Sequence, residues 1–65
     1  MKATYDASTD TLTFELGVGV VAESDEQKPG VIIDYDADGN IVGIEILDAS
    51  TRVQDARSMQ FKVAG

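Results

Sequence analysis

Five residues between positions 34 and 45 carry the one spacing in this sequence that could do chemistry. Asp34, Asp36, Asp38, Gly39 and Glu45 fit the pattern D-x-D/N-x-D/N-G-x5-E of an EF-hand calcium loop, with Ile41 at its apolar eighth place. Hard oxygen ligands of this kind suit Ca²⁺. An EF-hand also needs an entering helix, so that its ligands wrap around a single ion. Here Val31-Ile32-Ile33 leads in, a β-branched run that favours a strand, and Pro29-Gly30 breaks the chain just before it. On a strand rising about 3.3 Å per residue, Asp34 and Asp38 stand roughly 13 Å apart at their backbones. One ion cannot collect them. The expectation is therefore no metal site, with Asp34, Asp36, Asp38 and Glu45 kept only as weak cation candidates.

Other chemistry is thinner still. The 65 residues include no cysteine and no histidine, which removes disulfides, zinc–thiolate sites, imidazole ligands and the familiar nucleophile–base pairs. Asp34 and Asp36 share a strand face about 6.6 Å apart, but a sheet this small offers no deep pocket to drive their pKa values apart. Gly17-Val18-Gly19 lacks the third glycine of a dinucleotide loop and reads as a bend. No catalytic residue, no cofactor and no enzymatic activity are expected.

Twelve acidic residues against five basic ones give a net charge of −7. That balance repels a phosphate backbone and attracts a basic protein or a cation, so nucleic-acid binding is not expected. No apolar run approaches the ~20 residues of a membrane span, and the N-terminus has no signal-peptide core. The expected setting is a reducing cytoplasm, away from any membrane. A chain of this length forms one domain, residues 1–65, and buries only about 60% of its unfolded surface. With disulfides and metals gone, oligomerisation is the remaining support for so thin a core.

The elements that must position the acids are hairpins. Met1 to Leu16 alternates with period two, and a four-residue loop at Ala7–Asp10 sets Tyr5 opposite Leu12, Ala3 opposite Phe14 and Met1 opposite Leu16. Asp6 then faces Thr11, Thr4 faces Thr13 and Lys2 faces Glu15 on the other side, all favourable neighbours. Asp38-Gly39 predicts a type I′ turn between Val31–Asp36 and Ile41–Leu47. It pairs Tyr35 with Val42, Ile33 with Ile44 and Val31 with Ile46 on one apolar face, and Asp36 with Ile41, Asp34 with Gly43 and Ile32 with Glu45 on a mixed one. Val20 to about Gln27 reads as a weaker strand whose acid-rich end suits a sheet edge. Asp48 or Ser50 is placed to cap a short helix running to about Arg57, and Met59, Phe61 and Val63 alternate as a final strand. The predicted fold class is mainly β, bordering on α+β: an antiparallel sheet of four to six strands built from hairpins, with one short helix near the C-terminus.

The run from Pro29 to Asp36, with Asp38-Gly39 and then Val42 to Ser50, is distinctive, as are Tyr5-Asp6, Asp10-Thr11-Leu12 and Val21 to Ser24 upstream. Together they resemble a family of small bacterial proteins known as domain-of-unknown-function family 2283. The resemblance covers residues 1 to about 52 and leaves 53–65 as a C-terminal extension. It implies a small antiparallel β domain, no catalytic residues to carry over, and an antitoxin-like or partner-binding role.

A single sheet with one apolar face and one short helix leaves apolar surface in water, which monomers rarely tolerate over large patches. The residues expected to supply a core or a dimer seam are Tyr5, Leu12, Phe14, Leu16, Ile33, Tyr35, Val42, Ile44 and Ile46. A homodimer is expected. The functional expectation is a non-enzymatic interaction module that meets a basic protein. The alternative is a small-ligand or cation-binding protein using Asp34–Glu45.

Overall fold

The period-two segments become β1 (Lys2–Asp6), β2 (Thr11–Glu15), β3 (Glu23–Lys28), β4 (Val31–Tyr35) and β5 (Ile41–Ile46), followed by one short helix, α1 (Ala49–Arg52). A computed structural model describes every residue from Met1 to Gly65. The strands form one sheet in the order β1-β2-β5-β4-β3, each pair antiparallel. This is the mainly β, hairpin-built sheet with a single C-terminal helix that the sequence predicts. Two hairpins lie side by side: Leu12 faces Ile46 and Phe14 faces Ile44 across β2 and β5, which joins their apolar sides into one face.

The first hairpin has the expected register at five of six pairs, from Lys2 opposite Glu15 to Asp6 opposite Thr11, while the expected Met1–Leu16 pair lies outside the ladder because Leu16 N donates to Val42. Its loop closes because Asp6 accepts hydrogen bonds from the Ser8 amide (3.0 Å) and hydroxyl (2.6 Å). Asp10 then turns the chain back with a φ of 54°, a left-handed conformation that aspartate tolerates better than most residues. The Lys2–Glu15 pair is 3.9 Å apart and largely exposed, so it adds little.

The second hairpin keeps the expected register from Val31 opposite Ile46 to Asp34 opposite Gly43 and then departs from it. Tyr35 pairs with Ile41, not with Val42, and the turn is not type I′. A type I′ turn needs positive φ at both Asp38 and Gly39; only Gly39 has it, at 84°. The Asp36 carboxylate decides the matter. It accepts from the Asp38 and Asn40 amides, both at 2.9 Å, while Gly39 N–H donates to the Asp36 carbonyl at 3.1 Å. The result is a three-residue loop closed by a left-handed glycine, with one residue too many on β5. That residue is Val42. Its carbonyl accepts from both Leu16 N (2.9 Å) and Gly17 N (3.3 Å), and the glycine bend packs onto its side chain. A Cβ on Gly17 would sit only 3.3 Å from Val42 Cγ1.

β3 starts at Glu23 rather than Val20, pairs only with β4 and exposes all six residues, which is the predicted acidic edge. The other corrections concern the C-terminal part. The helix ends at Arg52, not near Arg57, with Val53 already extended. Met59–Val63 form no strand, and nothing beyond Val53 joins a backbone–backbone hydrogen bond. The tail instead walls clefts against the apolar face: Val53, Ala56 and Met59 line one with Tyr5, Leu12 and Phe14, and Met59 and Phe61 line another with Met1, Ala3 and Phe14. Arg57 stands 5.4 Å above the Tyr5 ring, a cation–π distance.

The core is as thin as the length implies. Leu12 and Val42 are 8% and 9% exposed, and Ala49 is fully buried. Tyr5, Phe14, Leu16, Ile33, Tyr35, Ile44 and Ile46, the rest of the expected core or seam, are only half-buried.

At Gly39 an added Cβ would meet nothing within 4 Å, so a substitution there tests the backbone alone. Gly39→Ala is expected to destabilise the fold by about 1 kcal/mol in urea denaturation, and Gly39→Asn by less. Equal stability of Gly39→Ala and the wild type would contradict the left-handed turn.

Candidate functional site

Three groups of side chains stand out: a carboxylate hub at Asp10, an acid pair on the polar face, and the open edge at β3. The hub is the most connected. Asp10 Oδ1 accepts from the Tyr5 hydroxyl at 2.7 Å and the Ser50 amide at 3.0 Å, and its Oδ2 accepts from the Ser50 hydroxyl at 2.6 Å. The Asp10 carbonyl takes the Ala49 amide at 2.9 Å. Asp48, the residue just before α1, makes no side-chain cap, so Asp10 satisfies the helix N-terminus from 40 residues away. The Ser50 hydroxyl, followed by that of Tyr5, holds the Asp10 carboxyl below its usual value of 3.8. The same bond to Asp10 pushes the Tyr5 hydroxyl above 10.0. These contacts clamp the chain, and the hub reads as structural.

The candidate cation ligands do not converge. Asp34 lies on β4, where its Oδ1 accepts from the Ser24 hydroxyl at 2.6 Å and its Oδ2 would be 3.1 Å from a Cβ on Gly43. Asp36 is occupied in bracing the turn, and Asp38 sits on the turn itself with its amide turned to Asp36. Glu45 is the one that meets Asp34. Partial burial, then the neighbouring Asp34 carboxyl, raises its pKa above 4.5. No group of three or more acids gathers in a way that could hold a metal ion. On the same face, Thr4, Thr11 and Thr13 line a shallow polar trough with Glu15 and Glu45 at its rim.

The remaining feature is the edge. Glu23, Asp25 and Glu26 lie exposed along β3, with Lys28 at its end. Only one side of this strand is hydrogen-bonded to the sheet. The Glu26 carboxylate accepts from the Gly30 amide at 3.1 Å and stiffens the turn into β4, where Gly30 has a φ of 81°.

The family described as a protein of unknown function, DUF2283, matches residues 2–50. The chain belongs to that family. The match takes in all five strands and the start of α1, including Tyr5, Asp10, Ala49 and Ser50 of the clamp. No curated protein and no solved structure matches it. Family membership in DUF2283 therefore brings a fold-sized unit whose function is unknown.

Sequence reasoning reached the acids and the edge but missed the clamp. Its signal was a residue pair with no local purpose: Asp10 at a loop end, and Ser50 in a helix with no cap of its own. The titration of the clamp gives a test. Asp10 is lowered, so its contribution is present above pH 3.8 and is lost as pH falls through the depressed value. Glu45 is raised, so its charge opposes folding at neutral pH and its protonation helps as pH falls towards 4.5. Asp10→Asn is expected to lower the melting temperature at neutral pH and to flatten the acid limb below pH 3.8, whereas Glu45→Gln is expected to raise it at neutral pH. Thermal melts across pH 2–8 check both, and an acid limb unchanged in Asp10→Asn would refute the clamp.

Proposed function

We propose that this chain is a non-enzymatic protein-interaction module that takes a basic, extended segment of another protein along the free edge of β3. The observation that carries the reading is the edge itself: six exposed residues, three of them acidic, with backbone groups open on one side. An edge strand pairs readily with foreign chains unless something discourages it. Acids discourage pairing with another copy of this acidic chain, whose net charge is −7, and favour a segment rich in Lys and Arg. Main-chain hydrogen bonds would give affinity and the acids would give selectivity, the division of labour of β-strand addition. An antitoxin-like role, with a basic protein held in an inactive complex, is the biological form this reading takes.

The test is an amide-shift titration of labelled protein with a ten-residue peptide of alternating Lys and Val, and with its Glu–Val counterpart. Shifts centred on Glu23–Lys28, seen with the Lys peptide alone, weakened by salt and lost in an Asp25→Lys variant, are the expected result. Shifts elsewhere, or none, would remove the edge reading. Calcium alone is added as the comparison: shifts confined to Asp34–Glu45 would instead favour cation binding.

A further inference from the structure

Charge is divided unevenly along this chain. Arg52, Arg57 and Lys62, three of its five basic residues, fall in the last fourteen residues with a single acid, Asp55. The other eleven acids precede them with two bases, so a segment of net +2 follows a body of net −9. Within that segment Ser58-Met59-Gln60-Phe61-Lys62-Val63 has no glycine or proline and alternates with period two, the pattern of a strand. It forms none. Its backbone enters no backbone–backbone hydrogen bond, and Met59, Phe61 and Val63 stay 55%, 70% and 83% exposed. The segment also lies beyond residues 2–50, so it is an addition to the family unit.

This segment has the chemistry that the edge of β3 favours. Both have open backbone groups, and their charges are opposite. Period-two alternation matches the sides as well. Asp25 lies beside Ile33 and Glu26 beside Ile32, so Glu23 and Asp25 share the apolar side of the sheet and Glu26 the polar side. Extended from Arg57 to Val63, a segment that sets Met59, Phe61 and Val63 on the apolar side sets Arg57 there too, with Glu23 and Asp25, and sets Lys62 on the side of Glu26. The chain's own segment is not at β3. Met59 and Phe61 line a cleft with Met1, Ala3 and Phe14 towards the opposite edge, and β1 stands four strand spacings, about 19 Å, from β3.

We propose that residues 57–63 of a second copy add to the free edge of β3 as a sixth strand. The inference rests on the function proposed for that edge and names this chain's own C-terminal segment as one of its basic partners. Main-chain hydrogen bonds join the two open backbones, and Glu23, Asp25 and Glu26 meet Arg57 and Lys62. The acids of β3 keep two β3 edges apart, yet they attract this segment. Repulsion between the two acidic bodies is screened beyond about 8 Å at physiological salt, whereas charges brought side by side across a strand pair act at shorter range. A basic partner then competes with self-association for one edge.

Sedimentation equilibrium on the full chain from micromolar to millimolar concentration tests it, with species heavier than 6.9 kDa expected. Two charge reversals, Glu23→Lys with Asp25→Lys on the edge and Arg57→Glu with Lys62→Glu on the segment, are each expected to raise the dissociation constant about tenfold. Far-UV circular dichroism is expected to stay unchanged in both. One chain carrying all four substitutions is expected to associate as the wild type does. The edge reversal turns two acids into lysines and takes the net charge from −7 to −3, so tighter association there would mark general repulsion and overturn the proposal. A monomer throughout the range would overturn it too, as would four substitutions that fail to restore association. A Lys–Val peptide that binds Glu23–Lys28 of a chain that stays monomeric overturns the role of the segment alone. A peptide that does not bind removes the function proposed for the edge, and the segment's role with it.

Discussion

The pairing of β2 with β5 is the interaction on which the rest of the sheet depends. Each hairpin alone is a two-stranded ribbon, which is marginally stable at best in water. Set edge to edge, Leu12 against Ile46 and Phe14 against Ile44, they become the middle of a five-stranded sheet with one continuous apolar face. Leu12 on β2 and Val42 on β5 are the two strand residues with the least exposure among the large apolar side chains. Asp10 secures the same junction from its end. Three of its four contacts tie the close of the first hairpin to Ala49 and Ser50 after β5, and the fourth holds Tyr5 on β1, so neither hairpin slides without breaking the clamp.

What could be read from the sequence was local. Alternation and a four-residue loop fixed every ladder pair of the first hairpin, because a slip by one would turn its whole apolar set into water. The second hairpin was legible up to Asp34 opposite Gly43. It was misread at the tip because Asp-Gly suits two turn types, and the choice between them lies with Asp36, a side chain outside the dipeptide. The position of β3 was legible from its acids, since such a strand is tolerated at an edge.

The rest depended on contacts between distant residues. The helix ends at Arg52, where Val53 is already extended, and its N-terminus is satisfied by Asp10, a partner 40 residues away that no local pattern announces. Met59, Phe61 and Val63 alternate like a strand, yet alternation records only which side chains share a side. Met59 and Phe61 border a cleft beside the apolar face while staying largely exposed, and they enter no backbone ladder. The acid pair shows a comparable trade. Glu45 beside Asp34 works against the sheet at neutral pH, and the Ser24 hydroxyl on Asp34 offsets part of the repulsion by tying β3 to β4.

The order of the strands also governs how the chain emerges during synthesis. β2 completes its hairpin early, but Leu12 waits for Ile46, thirty-four residues later. At about 5–20 residues per second, roughly two to seven seconds separate the synthesis of Leu12 from that of its neighbour Ile46. β3 and β4 come off in between and pair with each other, leaving β5 to arrive last and enter between two ribbons already made. With this strand order the sheet closes from its two outer halves inward, around the strand that is made last.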